Sequence, residues 1–150
     1  MGTIKDMLKR ATAARNNFDS DLKLAVQLVS DDLIRLKQDE LFEGIGNDGN
    51  IIGVYSRGTE SMTKGLTGVG YPKRAGDPFN FYAEGNLFKS WKYIFKDNSS
   101  LELVASDAKY DELKRRYPKM VGLSTEGQME FNYNLLLNAI RGTTGRHFLP

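Results

Sequence analysis

The sequence predicts an α+β fold: a long amphipathic helix packed on a small antiparallel sheet, with a long glycine-rich loop or arm and a C-terminal helix. Three observations predict it. Leu22, Val26, Val29, Leu33 and Leu36 recur at alternating spacings of four and three, which makes one continuous apolar stripe on a helix. Trp91, Tyr93 and Phe95 alternate with Lys92, Ile94 and Lys96, which is strand period. Ten of the fifteen glycines fall between Gly44 and Gly85, a density that favours turns and irregular backbone.

The elements follow in order. Ile4, Met7, Leu8 and Ala11 sit at helical spacing, so Thr3 to Arg15 reads as a short helix that Asn16-Asn17 ends. Asp19 or Ser20 then caps the long helix, and Gly44 closes it. Asp21, Lys23, Asp31, Arg35, Lys37, Asp39 and Glu43 are its polar positions. A stripe this long requires a partner surface: a sheet, another helix or another subunit. Ile45 and Ile51-Ile52 flank Asn47-Asp48-Gly49-Asn50, a hairpin turn. Ser56 to Pro78 reads as a long loop, and Arg57, Lys64, Tyr71, Lys73 and Arg74 mark it as a candidate intersubunit arm.

Strand character starts at Leu87. Asp97-Asn98-Ser99-Ser100 is turn chemistry, and Leu101, Leu103 and Ala105 form the returning strand. Ser106 or Asp107 caps a helix from Ala108 to about Tyr117, which Pro118 ends. Thr125 and Gln128 make a capping box. The helix they start aligns Met129, Tyr133, Leu136, Leu137 and Ile140 and stops at Gly142. The tail from Thr143 turns apolar at Phe148 and Leu149, which suits docking onto a partner.

The 150 residues suit a single domain, 1–150. A net charge of +2 is too balanced to announce nucleic-acid binding. With no cysteine, disulfides, thiolate catalysis and cysteine-based zinc sites are excluded. Met1 to Arg15 holds no signal-peptide core, and no run approaches the ~20 apolar residues that span a bilayer. No membrane partner is expected.

The motifs with chemical potential read as structural. Gly44-Ile45-Gly46-Asn47-Asp48-Gly49 matches a dinucleotide fingerprint in letters, yet it follows a helix and precedes a strand, the reverse of what that chemistry requires. Gly65 to Gly70 lacks the Lys-Ser/Thr pair of a phosphate loop. His147 is the only histidine, so a triad or histidine metal site would depend on it alone. Asp39 and Glu43 share a helical face, and Asp107, Asp111 and Glu112 form a second acidic group. Such carboxylates more often solvate an outer face than hold a cation or serve a hydrolase. No catalytic residue, metal or cofactor is expected. Two basic clusters, Lys109-Lys114-Arg115-Arg116-Lys119 and Lys89-Lys92-Lys96, support an alternative reading as a nucleic-acid-binding accessory protein.

The segment Gly85-Asn86-Leu87-x-x-Ser90, between the long helix and the hairpin, resembles the Thr-Gly-x-Leu/Phe-x-x-Ser motif of head–tail connector and tail-completion proteins of tailed bacteriophages. Glu84 stands where threonine is usual. The fuller run of Tyr55-Ser56, Lys73-Arg74-Ala75-Gly76-Asp77-Pro78 and Phe81 to Ser90 is similar to virion proteins of phages that infect Bacteroidetes, including the crAss-like group. The resemblance implies a non-enzymatic structural virion protein in the neck or tail, assembled in the host cytoplasm. It implies a cyclic homo-oligomeric ring that joins portal and tail and lines the DNA exit path. The implied partners are other copies of the chain, the portal or adjacent neck and tail proteins, and non-specific contact with DNA in the channel.

Overall fold

A computed structural model describes residues 3–64, 73–97 and 100–145. In chain order the elements are α1 (Ile4–Leu28), α2 (Ser30–Glu43), α3 (Arg57–Thr63), α4 (Asn86–Lys89), β1 (Trp91–Phe95), β2 (Leu101–Ala105), α5 (Tyr110–Arg116), a 3-10 turn (Pro118–Met120), α6 (Thr125–Met129), a π-helical stretch (Glu130–Leu136) and α7 (Leu137–Gly145). The fold is α+β, mostly helical with one two-stranded antiparallel sheet. It divides into two compact units. One joins the residues before Ile34 to those after Gln128, and the other is Ile34–Gln128.

In the helical unit, Thr3 and Asp6 cap α1 reciprocally. The Thr3 hydroxyl accepts from the Asp6 N–H at 3.3 Å, and the Asp6 carboxylate accepts from the Thr3 N–H at 2.8 Å. The expected break at Asn16-Asn17 is absent. Thr12, Asn17 and Ser20 turn their side chains back onto the carbonyls of Leu8, Ala13 and Asn17, so they do not compete with the helix. The interruption comes instead at Val29, whose φ of −110° and ψ of 13° leave helical geometry. Ser30 restarts the chain as α2, with Asp31 and Asp32 in its first turn, where the helix dipole favours acids. Asp21, Ala25 and Val26 of α1 and Thr143 of α7 are buried where α1 packs on α7. α7 runs through Gly142, where a stop was expected, to Gly145.

In the mixed unit, β1 pairs with β2 in the register Trp91↔Ala105, Tyr93↔Leu103 and Phe95↔Leu101. Trp91, Leu103 and Ala105 are buried, and Lys37 of α2 lies over the Trp91 ring. The second half of the long helical run therefore lies against the sheet. The expected hairpin around Asn47-Asp48-Gly49-Asn50 is a tight turn with a single bridge, Ile45 to Ile51. Val54 pairs with Pro78 instead.

The segment expected as a loop from Ser56 to Pro78 is partly helical. Ser56 caps α3 by accepting from the Thr59 N–H at 3.2 Å. Its far end folds back: Tyr55 donates to Asp77 O at 2.9 Å, and Gly76 donates to Tyr55 O at 3.0 Å. Leu87 opens no strand, because Asn86–Lys89 is one helical turn and β1 begins at Trp91. The expected capping box at Thr125 and Gln128 is displaced by one residue. Ser124 is the cap, accepting from Gly127 N at 3.0 Å, while the Gln128 side chain donates to Leu123 O. Tyr71, Asn98, Ser99, His147, Phe148 and Leu149 lie outside the described residues.

Candidate functional site

An open groove of about 670 Å³ lies within the mixed unit. Its aromatic wall joins rings from distant parts of the sequence. Phe79 meets Tyr55 at 5.0 Å and Tyr117 at 5.3 Å, and Phe81 meets Tyr117 at 5.5 Å, all edge-to-face. The Tyr55 hydroxyl donates to Asn80 Oδ1 at 2.9 Å and accepts from the Asn80 N–H at 3.1 Å. Burial pushes the Tyr55 phenol pKa up. Phe81 has a φ of 49°, a left-handed conformation uncommon for an aromatic residue. It is held there by its ring contacts and by the bond from Tyr82 N to Asn80 Oδ1 at 3.1 Å.

Charge around the groove is mixed. Lys73, Lys109 and Arg116 face it with Glu84 and Asp107. Lys73 lies 5.3 Å from the Tyr55 ring, and burial lowers its pKa. Arg116 lies 5.5 Å from the Tyr117 ring. The groove can therefore hold an apolar or aromatic group between cations stacked on rings.

The Gly85 motif forms one end of this groove. Gly85 is buried at φ 81°, and a Cβ there would come within 2.9 Å of the Tyr82 hydroxyl. Only glycine meets both conditions without strain. Gly85, Asn86 and Leu87 line the groove, whereas Ser90 does not. Ser90 closes the α4 turn, its hydroxyl donating to Leu87 O at 2.8 Å. Asn86 donates to the Glu84 carboxylate at 3.2 Å. Gln38 of α2 donates to Phe88 O at 2.7 Å and ties this turn to the helix.

The arm residues are dispersed. Arg57 begins α3 on the surface and Lys64 caps its C-terminus. Lys73 enters the groove wall, and the Arg74 carbonyl accepts from Asp77 N at 3.1 Å. Tyr71 lies outside the described residues. The basic clusters are partly engaged. Lys119 pairs with Asp48 at 2.7 Å and Lys96 with Glu102 at 2.9 Å, while Lys114 lies over the Tyr110 ring. The Lys119 ammonium holds the Asp48 carboxyl at a pKa of about 2. Among the described residues no group of three or more His, Cys, Asp or Glu is placed to hold a metal ion, and no helix is long and apolar enough to cross a membrane.

Sequence reasoning missed the most unusual polar group. Lys37, counted among the polar positions of the long helix, is fully buried, and so is Asp21. Lys37 Nζ donates to Gly122 O at 2.6 Å, lies 3.8 Å from a Glu40 carboxylate oxygen and 5.8 Å from the Trp91 ring centre. Burial lowers its pKa to about 8, with Glu40 acting in the opposite direction. Glu40 also accepts from Ser124 N at 3.0 Å, and a side chain at Gly127 would collide with that carboxylate. The signal was present: Leu33, Lys37 and Leu41 lie four apart on one helical face, with Glu40 three residues after Lys37.

No protein-family model, curated protein or solved structure matches the chain.

Proposed function

We propose that this chain is a structural virion protein that forms a homo-oligomeric ring in the neck or tail of a tailed phage, joins the portal to the tail and lines the DNA exit path. The observation that carries the reading is the Gly85 turn. Gly85-x-Leu87-x-x-Ser90 makes a left-handed glycine, one helical turn and then β1, and Gln38 ties that turn to α2. This is the placement the connector motif implies, between a long helix and the sheet beside it. The α+β architecture and the ring-lined groove beside the motif supply surfaces for neighbouring subunits. In such a ring each subunit meets its neighbours through two different patches.

The nucleic-acid-binding alternative has less support, because Lys96 and Lys119 are paired with carboxylates. Its expected signature is steeply salt-dependent binding to DNA or RNA. The ring reading is tested by mass analysis and cryo-microscopy of virions whose genome encodes the chain. Multiple copies near the portal vertex are the expected result. A chain missing from purified particles sinks the reading.

A further inference from the structure

α1 carries one apolar stripe with two fates. At its C-terminal end, Ala25 and Val26 are buried where the helix packs on α7, with Val29 just beyond. At 100° per residue, Ile4, Met7, Leu8, Ala11, Ala14 and Phe18 continue that stripe, within roughly 120° of the helix circumference. There no described residue covers it. Ile4 is 86% exposed, Leu8 67%, Met7 65% and Phe18 48%. The open stretch is about 21 Å long at 1.5 Å per residue.

We propose that this stretch of α1 pairs antiparallel with α1 of a second copy, about a two-fold axis near Ala11. The residues are self-complementary in that arrangement. Ile4 of one copy meets Phe18 of the other, Leu8 meets Ala14, and the two Ala11 residues meet at the axis. The Ala11 pair at the axis and Ala14 opposite Leu8 let the helices approach closely there, while Ile4 and Phe18 pack against each other at the two ends. The flanking charges agree. Lys5 and Asp19 lie on the same edge of the stripe, so antiparallel pairing brings Lys5 of each copy near Asp19 of the other, twice by symmetry. Arg15 is the one polar side chain within the stripe. Its aliphatic stem covers Met7 of the other copy, while its guanidinium reaches toward Asp19 one turn on. The face is also continuous with the one α7 already covers, so the second copy completes a surface half buried within the subunit.

This pairing goes beyond the ring reading and does not rest on it, since a two-fold contact closes at two copies. The absence of native cysteine makes the register directly testable. In the full chain, Ala11→Cys should crosslink with a short bis-maleimide about tenfold faster than Lys9→Cys, which lies off the stripe. Sedimentation equilibrium should show a monomer–dimer system that Leu8→Glu shifts to monomer. Leu8 is already exposed in the subunit, so circular dichroism should be unchanged. Lys5→Asp or Asp19→Lys should each weaken the dimer by about tenfold, and the double reversal should restore it. A chain that stays monomeric at high concentration overturns the pairing, as does a double reversal that fails to restore. A larger closed assembly in which Ala11→Cys crosslinks no faster than Lys9→Cys also overturns it, and leaves the ring reading standing.

Discussion

The helical unit and the mixed unit are held by different physics. In the first, Ala25 and Val26 of α1 and Thr143 of α7 are buried beside the fully buried Asp21, whose backbone carbonyl accepts from the Thr143 hydroxyl at 3.4 Å. In the second, the core is closed around a buried cation. Lys37 and Glu40 on α2 satisfy Gly122 O and Ser124 N, and so fasten the segment before α6 to the helix. Apolar contact is tolerant of small changes. A buried charge is not, because removing its partner leaves it in a poorly solvating interior. The mixed unit should therefore fail sharply at Lys37 and Glu40, whereas small apolar changes at Ala25 or Val26 of the helical unit should act gradually.

The largest expected effect tests that contrast directly. Glu40→Ala strips the buried lysine of its carboxylate and Ser124 N of its acceptor, and should cost about 3–5 kcal/mol in chemical denaturation. A loss under ~1 kcal/mol would mean that the cation is solvated and the contrast is wrong. Alkaline pH is the next lever. Lys37 has a folded pKa of about 8 against an ordinary 10.5, so its penalty is fully present below pH 8. Between those values the folded chain releases a proton that the unfolded chain keeps, and stability rises with pH. The rise should approach ~3 kcal/mol and be largely absent in Lys37→Met. A smaller rise from Lys73 should remain, since burial lowers its pKa too. Above pH 10 the raised pKa values of Tyr55 and Tyr110 act against stability, so the measurement is cleanest from pH 8 to 10.

Smaller effects sharpen the picture. The Trp91 indole N–H and the Tyr110 hydroxyl are buried without a hydrogen-bond partner among the described residues. Tyr110→Phe removes one such group while keeping the edge-to-face contact with Trp91 at 5.6 Å, and should raise stability by about 1 kcal/mol. The smallest change belongs to the helical unit. Thr3→Ala breaks the capping box at an exposed terminus and should fray the first turn of α1 at a cost of about 0.5–1 kcal/mol. Amide exchange should quicken at Met7 and before it, with the unfolding midpoint nearly unmoved.

The same contrast explains what could be read from residues alone. Periodic apolar patterns located α1, α2, the β1–β2 pair and the last helix, because period follows from which face is buried. The break in the long helix was misplaced. Asn16 and Asn17 are poor helix formers, but Asn17 bonds back to the Ala13 carbonyl, and the actual departure is at Val29, which favours no particular break. The groove was legible only at Gly85, where a left-handed backbone demands glycine. Its aromatic wall joins Tyr55, Phe79 and Tyr117, which are distant in sequence and share no period. Lys37 was hidden for the opposite reason: it follows the helical period, but its residue type argued for solvent.

The π-helical stretch bears on the length of the chain. The N–H of Leu137 donates to Asn132 O, five residues back rather than four. Such a stretch accommodates about one residue more than an α-helix of equal rise. Deleting one residue between Glu130 and Leu136 would tighten the stretch to α geometry and leave the phase of α7 unaltered, with Thr143 still facing Asp21. The same deletion inside α7 would turn Thr143 by about 100° away from that contact. Glu130–Leu136 is thus where this chain can be shortened without its two ends losing register.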